Sequence, residues 1–255
     1  MNDRHATGLA LLERIGGSPN PAIVEALGEV APELAAFTIG FAYGEVYSGD
    51  ALALPQRQLA TVAALAALGG LEPQLAFHLG GALEVGRTPR ELVELMTHLA
   101  IYAGFPAALN GVAVARRVFA QRGLAVDTTP SPPVADRHAE GIAGLRRVDG
   151  VHGEHVVDGL ADIAPDLGRH IVDFCFGEIY ARPGLDLFSR ELATVAALTA
   201  LGNAAPQLRV HMHGFLNVGG TPAQLVGVVT QMAVYAGFPR AINAALLAKE
   251  VLAAR

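Results

Sequence analysis

The chain has 255 residues, 52% of them hydrophobic and only 16% charged, with a net charge of −6 at neutral pH. That balance, with no basic cluster, argues against a nucleic-acid surface, and the single cysteine, Cys175, excludes a disulfide framework or a Cys-x-x-Cys pair within one chain. The mean hydropathy of +0.38 is high, yet no apolar run approaches the ~20 residues a membrane span needs, so burial between subunits is expected.

Along the chain, the opening MNDRHATG has no apolar segment of leader length, and the expected location is cytoplasmic. Residues 59–68 (LATVAALAAL) read as a helix apolar on most faces, stopped by Gly69. Thr88-Pro89-Arg90-Glu91 is a capping box with proline at the first helical position. The helix it opens is expected to run to Ala103, where Gly104 and Pro106 break it, and a further helix follows through Asn110. Gly123–Pro133 is a Thr/Ser/Pro-rich linker. Beyond it everything returns at a constant offset of 133, as between His78 and His211, or between Tyr102-Ala103-Gly104-Phe105-Pro106 and Tyr235-Ala236-Gly237-Phe238-Pro239. The chain is therefore a duplication: residues 1–122, a linker at 123–133, and residues 134–255. Alternating strand patterns are absent, so the expected class is all-α.

Polar residues within apolar helices are the candidates for chemistry, because burying them is costly unless they are paired or used. Glu45/Glu178, Arg57/Arg190, His78/His211 and Tyr102/Tyr235 recur in both copies. An arginine at the start of the most apolar helix can clamp a substrate carboxylate bidentately, or form a structural ion pair with Glu45 or Glu178. A lone helical histidine is commonly a hydrogen-bonded core residue, and Tyr102 and Tyr235 fit packing with a satisfied hydroxyl. The differences between copies are more telling, since Gln58 becomes Glu191 and Gly80 becomes His213. His211 and His213 stand two residues apart, a poor spacing for metal on a helix, so no metal is expected. No phosphate loop or nucleophile elbow is present.

From Arg190-Glu191-Leu192-Ala193-Thr194 through Gln207-Leu208-Arg209-Val210-His211, Leu216-Asn217-Val218-Gly219 and Thr221-Pro222 to Tyr235-Ala236-Gly237-Phe238-Pro239 with Asn243, the pattern resembles the carboxymuconolactone decarboxylase family. Arg137-His138-Ala139-Glu140-Gly141 and Arg146-Arg147-Val148 resemble the start of the stand-alone decarboxylase, and the likeness covers both halves. It implies two tandem alkylhydroperoxidase-like helical domains and assembly into rings, here a homotrimer with six pseudo-equivalent units. The Cys-x-x-Cys of the peroxidase members falls on Leu71 and Gln74, and on Ala204 and Gln207, which disfavours thiol peroxidase activity.

The resemblance further implies a cofactor-independent decarboxylation of a small carboxylated lactone through a dienolate. In that reading Arg190 holds the carboxylate, His211, with His213, stabilises the oxyanion or delivers the proton, and Glu191 or Glu178 orients the histidine. Tyr235, Arg57 and His78 are further candidates for substrate binding. Copy one lacks Glu191 and His213 equivalents and carries Ser48-Gly49-Asp50-Ala51 in place of Ala181-Arg182-Pro183-Gly184, so copy two is expected to hold the competent site. Two alternatives remain: a tailoring enzyme for secondary metabolites on the same fold, and a non-catalytic binding or assembly protein.

Overall fold

The structure, a computed structural model, describes residues 3–17 and 22–255; Met1 and Asn2, part of the N-terminal segment read above, lie outside the described residues. Among the described residues there are sixteen helices and no strands, eight helices in each repeat. In the first repeat these are α1 (Arg4–Gly16), α2 (Ala22–Gly28), α3 (Pro32–Phe37), α4 (Thr38–Tyr47), α5 (Leu54–Leu68), α6 (Glu72–Glu84), α7 (Pro89–Leu99) and α8 (Phe105–Gln121). The second repeats them as α9 (Arg137–Val148), α10 (Val151–Asp158), α11 (Pro165–His170), α12 (Ile171–Tyr180), α13 (Leu187–Leu201), α14 (Ala205–Asn217), α15 (Pro222–Ala236) and α16 (Phe238–Ala253).

The two most apolar helices, α5 and α13, lie against each other at the centre and join the repeats in one core. Their alanine rows permit this close approach, and nearly every residue on both is buried. Gly69 (φ 67°) and Gly202 (φ 70°) end them in a conformation that L side chains rarely adopt. The capping box at Thr88 forms as expected, with the Glu91 carboxylate accepting from the Thr88 N–H at 2.7 Å.

Two local features depart from the sequence reading. α7 stops at Leu99 and not at Ala103, because the N–H groups of Ala100, Ile101 and Tyr102 bond back three residues and tighten the chain into turns. Its twin α15 runs on to Ala236. Helices α4 and α12 are wide π-helices, which periodicity did not suggest. Each is crossed at backbone contact by the first helix of its repeat. A Cβ on Gly8 would sit 2.0 Å from the Ile39 carbonyl, and one on Gly141 2.1 Å from that of Val172. These crossings fix Tyr47 and Tyr180 at the helix ends, aimed at the centre of the molecule.

Candidate functional site

In the second repeat, three buried titratable groups converge from three helices. His211 stands on α14, Glu191 on α13, and Asp149 directly after α9. His211 Nδ1 lies 3.1 Å from Glu191 Oε2 and 3.6 Å from Asp149 Oδ1. Glu191 Oε1 accepts the Tyr180 hydroxyl hydrogen at 2.5 Å, which leaves Tyr102 to donate to Tyr180 at 2.6 Å. Tyr102 belongs to the first repeat, and its ring meets that of His211 edge to face at 4.9 Å.

Beside this cluster opens a cavity of about 250 Å³, walled by Ile101, Leu145, Cys175, Val210, Asp149 and His211. Among the described residues Nε2 of His211 has no hydrogen-bond partner, so it is the edge of the ring free to meet a ligand. Burial acts to lower the His211 pKa, but the charges of Glu191 and Asp149 overcome it and raise it to about 9, so the ring is an imidazolium at neutral pH. Burial, reinforced by the charge of Glu191, pushes Asp149 up to about 7 against the pull of His211. Its Oδ1 is buried without a hydrogen-bond partner among the described residues. The site therefore holds an acid pair beside one carboxylate, in an apolar chamber. Asp149, Glu191 and His211 also place donor atoms within 4.8 Å of one another, a set that could hold a divalent ion.

The first repeat builds the same frame without the charges. His78 Nδ1 donates to Gln58 Oε1 at 2.9 Å, and Gly16 stands where the 133-residue offset puts Asp149. Burial alone drops the His78 pKa to about 3, so this ring is neutral. Tyr235, from the second repeat, reaches its Nε2 at 3.3 Å and Tyr47 at 2.7 Å. The cavity here is larger, about 630 Å³. Each repeat thus lends a tyrosine to the other's chamber.

Several residues expected at the second site are not brought to it. Arg190 is wholly enclosed. Its guanidinium donates to the carbonyls of Leu185 at 3.1 Å and Arg182 at 3.0 Å and lies 3.6 Å from Glu94. Nε and Nη2 are engaged by protein carbonyls, and Nη1, with no hydrogen-bond partner among the described residues, is buried away from the cavity walls, so the guanidinium is not presented to a substrate carboxylate there. Arg57 is spent in the same way on Gln231 and the Gly49 carbonyl. Neither arginine pairs with Glu45 or Glu178, which instead meet Arg4 and Arg137 at the surface, so Glu178 cannot orient His211. His213 faces away from the cavity and stacks on His152 with ring centroids 4.1 Å apart. Tyr235 and His78 lie in the first chamber, and Tyr102 takes the tyrosine position beside His211. Asp149 and Tyr180 were missed. Their signal was present as Gly16 against Asp149, and as Tyr47 kept at Tyr180.

The sequence profile of the carboxymuconolactone decarboxylase family matches residues 32–117 and 165–250. The chain belongs to the carboxymuconolactone decarboxylase family. Among curated relatives, a 4-carboxymuconolactone decarboxylase from Acinetobacter baylyi is 36% identical over 100 residues, 39% of this chain and 74% of that protein. A nitrosuccinic acid decarboxylase from Metarhizium robertsii is 29% identical over 110 residues, 42% of this chain and 76% of its own length. A crystal structure of a candidate gamma-carboxymuconolactone decarboxylase subunit from Burkholderia xenovorans LB400 superposes with a TM-score of 0.61 at 23% identity, covering 98% of both chains. That likeness shows the tandem fold over the whole length. Family membership and the two named relatives support a decarboxylase-type function for this family member. No helix of the described residues is long and apolar enough to cross a membrane.

Proposed function

We propose that this protein is a cofactor-independent carboxy-lyase whose working site is the second-repeat cavity, acting on a small acid of the 4-carboxymuconolactone type. The observation that carries this reading is His211, an imidazolium held between Glu191 and Asp149, with Nε2 at an apolar cavity. Loss of carbon dioxide leaves an electron pair that must be delocalised onto oxygen. A lactone dienolate and a nitronate, the ions expected from the acids acted on by the two named relatives, both place charge there. The His211 Nε2–H donates to that oxyanion in a site with little water, where such a bond is worth most. Glu191 holds the Nδ1 edge and keeps the ring charged, with Tyr180 and Tyr102 holding Glu191 in turn.

Asp149 supplies the proton to carbon, since a carboxyl lining the cavity and protonated near neutrality is placed to give it up. One proton is consumed per carbon dioxide released, and Asp149 reloads from solvent. The cavity lies just under the range of about 300–1,000 Å³ usual for ligand pockets, which suits a compact acid. The test is direct: incubation with 4-carboxymuconolactone, following lactone absorbance and carbon dioxide. Turnover abolished by His211→Ala and kept by His78→Ala supports the reading. No turnover of this acid or of nitrosuccinate by folded protein overturns it.

A further inference from the structure

We propose that the first-repeat cavity is a second ligand site, one that takes a neutral, planar aromatic molecule bearing a hydroxyl group. A redundant copy of a site is expected to fill in with side chains as it drifts, because an empty apolar void forfeits packing contacts. Here the opposite has happened. The first chamber measures about 630 Å³ against about 250 Å³ in the second.

Its wall is aromatic. Phe37, Phe41, Tyr43, Phe77 and Tyr235 line it. At the 133-residue offset, Phe37 stands for His170 and Phe77 for Val210, so these two phenyl rings are additions of this repeat, while Tyr43 keeps an aromatic ring where the second repeat has Phe176. Two of the rings form the rim and stay open to solvent, Phe37 at 59% exposure and Phe77 at 39%, as does Leu34 at 55%. A flat ring lying between them would cover that apolar surface and stack on ring faces and edges.

Charge complementarity selects the ligand's ionisation state. The Glu191 and Asp149 positions are Gln58 and Gly16, and the ring of His78 is neutral. No arginine lines the cavity among the described residues, and Arg57, the twin of Arg190, is engaged by Gln231 and the Gly49 carbonyl and stacks near Tyr47. An anion entering this chamber would lose its hydration with no counter-charge among the described lining residues to meet it.

A polar contact is open at His78. Gln231 donates to Thr61 at 2.9 Å, and Thr61, Tyr47 and Tyr235 pass the donation along to His78 Nε2. The last link, at 3.3 Å, is long. His78 Nε2 is an acceptor because Nδ1 carries the hydrogen toward Gln58. It can take a shorter bond from a hydroxyl on the ligand.

The inference does not depend on the reaction of the second site, and its test is a binding measurement. 2-Naphthol and 2-naphthoate differ in charge at the same ring size, and both fluoresce. Titration at pH 7 with the full chain is expected to give one 2-naphthol bound per chain and at least ten-fold weaker binding of 2-naphthoate. Ala233→Phe, which fills the cavity, and Phe77→Ala, a rim change that leaves the core alone, should each weaken 2-naphthol binding. Val210→Trp, in the wall of the second cavity, should not. Binding of 2-naphthoate as tight as that of 2-naphthol, or binding lost with Val210→Trp and kept with Ala233→Phe and Phe77→Ala, overturns the proposal.

Discussion

Tyr180 gives its hydroxyl hydrogen to Glu191, and Tyr47, its twin, gives none to Gln58. A carboxylate can only accept, so the chain of hydroxyls in the second repeat points toward Glu191. In the first repeat the same hydroxyls point toward His78. One carboxylate in place of an amide reverses the direction of the relay and sets the charge of the histidine beyond it. Glu191→Gln should therefore convert the second site to the first site's pattern. We expect kcat to fall by about 10²–10⁴-fold, the usual worth of acid–base assistance. The His211 titration followed by NMR should also move down from about 9. An unchanged His211 titration would show that Glu191 does not hold the charge.

Activity should fall as pH rises, in two steps. The working state needs Asp149 protonated and His211 charged, so the limbs lie near the raised pKa values, about 7 for Asp149 and about 9 for His211. Asp149→Asn should remove the lower limb, leave the upper one, and reduce kcat more than KM. A lower limb that survives in Asp149→Asn would assign it to another group.

Stability has its own pH signature. His78 and His98 are held neutral by burial, with pKa values below the unfolded value of 6.5. Groups depressed in this way contribute stability that is present above pH 6.5 and lost as pH falls toward their folded values. Thermal denaturation from pH 7 to 4 should show a steady drop in Tm, smaller in His78→Gln. Asp149 and His211 act in the opposite sense: their folded pKa values are raised, so the stability they contribute is lost as pH rises toward 7 and 9.

Glu94 on α7 should be the costliest surface-distant ion to remove. It is fully buried and takes Arg182 of the other repeat through both oxygens, at 2.8 and 2.7 Å. Arg90 and Arg190 lie at 3.3 and 3.6 Å. Glu94→Ala strands these cations, and a loss of about 3–5 kcal/mol is expected in chemical denaturation. A loss under about 1 kcal/mol would mean the arginines relax to solvent, as at exposed pairs.

Chelation separates the two uses of the Asp149, Glu191 and His211 set. Dialysis against EDTA should leave turnover unchanged, because the proposed proton transfers need those atoms free. Turnover lost on dialysis and restored by added zinc would replace the acid–base assignment.

The helical frame was legible because apolar runs, prolines and glycines punctuate it twice. Glu191 and His211 were legible because one repeat could be read against the other. Arg190 misled, since a helix apolar on nearly every face does not reveal which side meets the cavity. Asp149 was hidden because its twin is Gly16, ahead of the region where the copies align well. The exchange of tyrosines lay beyond any fixed offset: it pairs Tyr235 with His211 along the chain, whereas folding pairs Tyr102 with His211. The π-helices also escaped, since their wide turns carry no distinct apolar period.

That exchange ties the two halves of the chain together at both cavities. Cutting within 123–133 and expressing either half alone would leave each cavity missing the wall that holds Ile101 and Tyr102, or Val234 and Tyr235. Each half therefore supplies, within one chain, part of the enclosure around the other half's histidine.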